Sequence, residues 1–260
     1  MNTGKNGLSR RLQAVADLVS PGKRVCDVGC DHGYVSIYLI ESGRADAVLA
    51  MDVNRGPLER ARINVEKNGL TGYITLRLSN GLDAYRTGEA QSLVIAGMGG
   101  RLMQSILTKD KEKTEDFEEL ILQPQSELIL FRKFLRTEGY TIVQEEMILE
   151  GGKFYPMMKA RKKPVYGICQ AEGCVSAGDG SRQQSGLSDG ITQELADAFG
   201  PCLLAKRDPV LYEYIFRQKE DILRLIHAMG GQEESERCRK RRGELKAELS
   251  LLTQAERLYQ

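Results

Sequence analysis

Residues 24–39, RVCDVGCDHGYVSIYL, constrain this chain more than any other stretch. An apolar strand built on Val25, Cys26 and Val28 runs into a turn that Gly29 and Gly33 allow to be tight. Val35, Ile37, Leu39 and Ile40 then open a helix. Strand, glycine turn and helix together form the opening unit of an open α/β sheet, whose ligands sit in the crevice beyond the strand ends. The chain continues in the same winding. Residues 47–53, 74–78, 92–96 and 119–123 read as further strands, with helices predicted over 58–68, 101–107 and 128–138. Residues 140–149 and 153–159 alternate about Gly151-Gly152 and predict an antiparallel hairpin at the sheet edge. Ahead of all this, Leu8, Leu12, Val15, Ala16 and Val19 recur at helical spacing, predicting a lid helix with Arg10 and Arg11 on its other face.

The turn itself narrows the ligand. A dinucleotide site reads G-x-G-x-x-G and sets a pyrophosphate on a helix N-terminus, whereas Asp27, Gly29, Asp31 and Gly33 spell D-x-G-x-D-x-G. Two carboxylates would repel a phosphate and attract a cation. The sulfonium and α-amino groups of S-adenosylmethionine meet that requirement, the alternative being a plain strand-turn-helix. Asp52 follows Gly33 by about twenty residues, the separation at which an acid reaches a bound ribose, although it could equally cap the next helix. Asn80 and Gly81 could read an adenine edge or form an ordinary Asn-Gly turn. In AGMGG, residues 96–100, three glycines in four residues suggest a flat group lying against the backbone, or tight helix packing. Gln123 and Gln125 could offer amides to the same crevice.

At 260 residues the chain has room for one sizeable α/β domain and a smaller appendage. No apolar run approaches bilayer length and the first residues lack a signal-peptide core, so a cytoplasmic protein with no membrane partner is expected. Six scattered cysteines with only two histidines predict reduced thiols and no metal site. Thirty-seven basic residues against thirty-six acidic ones leave any polyanion to local patches. One such run is Arg161, Lys162 and Lys163, a solvated edge-strand guard or a phosphate contact.

Residues 167–190, rich in Gly, Ser, Gln and Asp, predict a mobile insertion. Beyond it, Leu211, Ile215, Gln218, Ile222, Leu225 and Met229 alternate at four and three residues, as do Cys238, Arg242, Leu245, Leu249, Leu252 and Glu256. With a break at Gly230-Gly231 this spacing predicts an antiparallel coiled-coil hairpin. Its second arm carries Arg237, Arg239, Lys240, Arg241, Arg242 and Lys246, a density that suggests phosphate binding over a merely solvated face.

Taken in order, DVGCDHGYVSIYL, DVNRGPLERARIN, SNGL, VIAGMGG and ILQPQ resemble the bacterial S-adenosylmethionine-dependent tRNA (adenine-22-N1)-methyltransferase family across residues 8–159. The resemblance implies a Rossmann-like seven-stranded methyltransferase sheet and a coiled-coil domain that helps hold tRNA; with the composition shift, the chain is expected to divide into the methyltransferase domain over 1–163, a flexible insertion over 164–200 and a small all-α coiled-coil domain over 201–260. It implies a cofactor loop of Asp27, Gly29, Cys30, Asp31 and Gly33. Asp52 would take the ribose hydroxyls, flanked by Val53 and Asn54; Asn80, Gly81 and Leu82 would meet the cofactor adenine, and Ala96 would complete the site. Asp31 and His32, with the backbone at Gly97 and Met98, are the candidates for acting on the target base. The family commonly has Gly-Asp-Gly where this chain has Ser79-Asn80-Gly81, so an acceptor remains but its charge is gone. The tRNA is expected to meet Arg237, Arg239, Lys240, Arg241 and Arg242, with Arg161, Lys162 and Lys163 as further contacts, on a monomer. Rival readings are a methyltransferase acting on a small molecule or protein, and a non-catalytic RNA-binding protein on the same scaffold. A nicotinamide oxidoreductase fits the loop least well.

Overall fold

The computed structural model describes residues 8–162, 188, 190–229 and 235–260. The chain divides into two compact units, Met1–Ile168 and Cys169–Gln260. In the first, β1 (Lys23–Val28) lies between β2 (Ala45–Asp52) and β4 (Ser92–Met98). The sheet has the order β3-β2-β1-β4-β5-β7-β6, with β3 at Ile74–Leu78, β5 at Glu119–Pro124, β6 at Thr141–Glu150 and β7 at Lys153–Arg161. The first five strands are parallel, while β7 and β6 run antiparallel to their neighbours. Strand order reverses between β1 and β4, so their carboxyl ends part to leave a crevice.

Period-two alternation sends successive β1 side chains to opposite faces. Val25 joins Val15 and Ala16 of α1 (Arg10–Asp17), Leu39 of α2 (Tyr34–Glu41) and Ala61 of α3 (Arg55–Lys67). Cys26 and Val28 join Met103 of α4 (Gly100–Lys109) and Phe131 of α6 (Leu128–Thr137), with the short α5 (Lys111–Glu115) between those two helices in sequence. Fully burying such an aliphatic or aromatic side chain stabilises the fold by about 1.5–3 kcal/mol, so the two layers fix the sheet from both sides. Gly151 and Gly152 both take positive φ, 57° and 79°, which the two-residue turn between β6 and β7 requires.

At the end of β7, where the sequence left an edge-strand guard or a phosphate contact open, the described cations form ion pairs within the fold. Arg161 lies 3.0 Å from Glu119, and Lys162 pairs with Glu115 and faces the Tyr140 ring. Glu119 is buried at the amino end of β5, the end of the sheet remote from the crevice. It also accepts from Ser20 N and Oγ at 2.8 and 2.7 Å and from Ser92 Oγ at 2.8 Å, and lies 3.2 Å from Lys159. Burial opposes its ionisation, but the Ser20 donors and the Lys159 and Arg161 charges prevail and hold its carboxyl down at about 2. Half-buried Arg161 therefore closes the network around buried Glu119. Lys163 lies outside the described residues.

The second unit contains α7 (Gln193–Phe199), α8 (Pro201–Ala205), α9 (Pro209–Ala228) and α10 (Glu236–Arg257). Helix α7 corrects the end of the expected insertion: Thr192 caps it and Leu195, Ala196 and Phe199 are buried, so those residues repay their ordering. Residues 163–187, the body of the expected insertion, lie outside the described residues, as does Gly230-Gly231. Asp208 caps α9 by accepting from Val210 and Leu211 N–H, and Ser235 caps α10. The two helices pair antiparallel, Lys219 meeting Glu256 and Arg242 Nη2 donating to Met229 O at 2.9 Å. Ile215 and Ile222 are buried, as are Leu245 and Leu252, but Leu225 is 51% exposed. The predicted seam thus loses its tight packing toward the distal end of α9.

Candidate functional site

Above the carboxyl ends of β1, β2 and β4 lies a cleft of about 530 Å³. Its floor is the turn after β1. Gly29 and Cys30 N–H both donate to Met51 O, at 2.8 and 3.0 Å, tying that turn to the tip of β2. Gly29 has φ +77°, a left-handed conformation that favours glycine, and a Cβ there would lie 2.2 Å from Met98 Cε, so any side chain would be strained and would displace the Met98 methyl. Asp31 takes φ 49°, in the left-handed region that Asp tolerates better than most residues. Its carboxylate is 67% exposed and 3.5 Å from His32 Nε2, and the His32 ring stacks parallel on Tyr34 at 5.7 Å.

Asp52 ends β2 with both oxygens already oriented. Oδ1 accepts from Asn54 N–H at 2.8 Å and Oδ2 from Asp31 N–H at 3.2 Å, so the acid braces the turn while lining the cleft. Asp27 is buried and accepts from Ser36 Oγ at 2.6 Å. Burial and the Asp52 charge push its carboxyl up to about 6 against the Ser36 hydrogen bond. Cys30 is likewise buried, and desolvation together with the charges of Asp27 and Asp52 keeps its thiol protonated. Ser79 Oγ donates to Gly81 O at 2.8 Å and accepts from Ala84 N–H at 3.0 Å, which shapes the turn that presents Asn80. Val53 and Asn54 border the cleft beside Asp52.

At its end β4 slips register against β5 between Ala96 and Met98. Gly97, at φ +79°, aims its N–H at Gln123 Oε1, 3.2 Å away, and Ala96, Gly97 and Met98 line the wall. The cleft thus brings together Asp27, Gly29, Cys30, Asp31, His32, Asp52, Val53, Asn54, Asn80, Gly81, Ala96, Gly97 and Met98. Two expected residues stand apart from that lining. Gly33 begins α2 at φ +74°, and a Cβ there would lie 3.2 Å from Ala61 Cβ, so it serves the approach of α2 to α3. Leu82 is buried in the core with Ile106 and Leu107, because the turn before it directs its side chain inward.

Gln125 reaches the cleft as expected, but Gln123 is fully buried and works from behind. Sequence reasoning missed Arg11, which it set on the outer face of α1. Arg11 lines the cleft, with Nη1 donating to Gln123 Oε1 at 2.6 Å and its guanidinium 5.3 Å from the Tyr155 ring centre. A signal was present: residue 11 lies three after Leu8 and four before Val15, within the buried stripe itself. Tyr34, Leu102 and Ile106 also line the cleft and carried no comparable cue. Among the described residues no group of three metal-capable side chains gathers anywhere.

A methyltransferase-domain family model matches residues 8–158. The tRNA (adenine(22)-N(1))-methyltransferase of Bacillus subtilis is 34% identical over 203 residues, 78% of this chain and 77% of that protein. The crystal structure of the B. subtilis m1A22 tRNA methyltransferase TrmK is similar at a TM-score of 0.78 and 29% identity, over 97% of this chain and 100% of that one. A Streptococcus pneumoniae chain solved in complex with S-adenosyl-L-methionine is similar at a TM-score of 0.75 and 30% identity, over 96% and 99%.

Proposed function

The chain belongs to the tRNA (adenine(22)-N(1))-methyltransferase family, and on that premise we propose how its own residues divide the work. The enzyme methylates N1 of adenine 22 in tRNA with S-adenosylmethionine. Bound, that cofactor supplies an electrophilic methyl group carried on a cationic sulfonium. The cleft suits it in charge and in shape: Asp27, Asp31 and Asp52 line one region, and the backbone of the turn at Gly29, bare of any side chain, borders the same space. That acidic lining beside a bare glycine turn is the observation that carries the assignment.

Asp52, its oxygens already aligned, accepts from the ribose hydroxyls, with Val53 and Asn54 beside it. Asn80 and Gly81 meet the adenine edge of the cofactor, the Asn80 amide oxygen serving as a neutral acceptor. Asp27 and Cys30 form the floor beneath the methionyl end, with Ala96 opposite. Adenine N1 has its own lone pair, so the acceptor needs no base to become nucleophilic; what it needs is alignment. Because N1 lies on the pairing edge, the base must leave its stack, and the Gly97-Met98 backbone offers it a flat rest. Methylation leaves the ring cationic. The exposed Asp31 carboxylate, oriented by His32, stabilises that charge as it develops.

Phosphates of the tRNA meet Arg237, Arg239, Lys240 and Arg241 on the first turns of α10, all exposed. Arg242 is instead turned into the hairpin through Met229 O. We assign methyl transfer to 1–163 and tRNA binding to 201–260, in a monomer acting in the cytoplasm. No helix among the described residues is long and apolar enough to cross a membrane. The test is mass mapping of nucleosides in unmodified tRNA after incubation with enzyme and cofactor. One methyl at N1 of adenine 22 is expected; methyl at another atom or position, or in protein alone, would overturn the reading.

A further inference from the structure

The cleft contains one charge of the opposite sign. Among its described lining residues Arg11 is the only Lys or Arg, set against the carboxylates of Asp27, Asp31 and Asp52. It belongs to the β4–β5 side: Nη1 would lie 3.9 Å from a Cβ placed on Gly97, and its hydrogen-bond partner Gln123 belongs to β5. Both groups that orient it, the Gln123 amide oxygen and the Tyr155 ring, are neutral. No carboxylate pairs with it among the described residues. A guanidinium fixed by a hydrogen bond and an aromatic face has lost much of its rotamer freedom before any ligand arrives, yet its charge is uncancelled.

We propose that Arg11 is the oxyanion-binding residue of this cleft. Its fork takes a carboxylate or phosphate oxygen of a bound substrate and so fixes the orientation of that substrate across the Gly97 wall. The inference rests on the methyl-transfer reading and deepens it. Two substrates bring such an oxyanion: the cofactor through its α-carboxylate, and the tRNA through a phosphate beside the extruded adenine. Contact with the methylated ring itself is disfavoured, since that ring is cationic and the guanidinium would repel it.

The test compares the native enzyme with Arg11→Met, which keeps the apolar stem, and Arg11→Lys, which keeps the charge without the fork. Calorimetry gives the affinities for S-adenosylmethionine and for its decarboxylated analogue, and steady-state kinetics gives KM for tRNA as a function of salt. If the oxyanion is the cofactor's, the native enzyme prefers the carboxylated form by about 10- to 100-fold and Arg11→Met erases that preference. If it is a tRNA phosphate, the preference is unchanged, KM for tRNA rises about 10-fold or more and the log–log salt slope falls by about 1. Arg11→Lys should recover part of whichever effect is seen. A variant that moves neither the preference nor the salt slope, with or without a lower Tm, overturns the proposal and leaves Arg11 a packing residue. Failure of the native enzyme to bind S-adenosylmethionine at all would instead count against the methyl-transfer reading.

Discussion

Asp27 carries opposing demands on one carboxyl. Burial and Asp52 raise it from 3.8 to about 6, so folding favours the neutral acid. The stability it contributes to the ligand-free protein is therefore full below about pH 4 and is lost as pH rises through about 6. A cationic donor makes the opposite demand, for the charged form. Asp27→Asn should accordingly stabilise the ligand-free enzyme at pH 8, by on the order of 2–3 kcal/mol from the linkage alone, while weakening cofactor binding about 10- to 100-fold. Thermal denaturation at pH 4 and pH 8, with calorimetry beside it, checks both signs: the Tm gain should be confined to the higher pH. Such acids were legible in the sequence because a turn sets them by local spacing. Arg11 was misread because its charge set it on the outer face, although its spacing from Leu8 and Val15 places it within the buried stripe. The inward turn of the Leu82 side chain was not legible, because one residue beyond a turn can point either way.

At the scale of elements, the strands and their alternation with helices were legible from apolar runs separated by helical periods, and the closing hairpin from Gly151-Gly152, whereas the spatial order of the strands came from the structure. Paired helices α9 and α10 were legible from their apolar spacing, yet the spacing could not foresee that Leu225 would be exposed or that Arg242 would be satisfied by Met229 O. Helix α7 escaped notice because seven residues give too short a period to rise above the polar stretch before it. With Arg242 committed to the hairpin, phosphate contact falls to its neighbours. Replacing Arg237, Arg239 and Lys240 together by Gln should raise KM for tRNA about 10-fold or more and reduce the log–log salt slope by about 2 to 3, leaving cofactor affinity unchanged. An unchanged slope would remove α10 from the tRNA surface.

For the molecule as a whole, the first unit has cores on both faces of its sheet, and every residue proposed to hold the cofactor comes from it. The parting of β1 from β4 creates the space, the β1 turn bares its backbone, and the acids that line it select a cation in place of a pyrophosphate. That selection by charge is the claim on which the residue assignments rest. A crystal structure of the enzyme with S-adenosylmethionine tests it most directly. The ribose is predicted on Asp52, the adenine at Asn80-Gly81 and the methionyl end between Asp27 and Gly97; a donor lodged outside this cleft, or a cleft left empty at saturating donor, would contradict it.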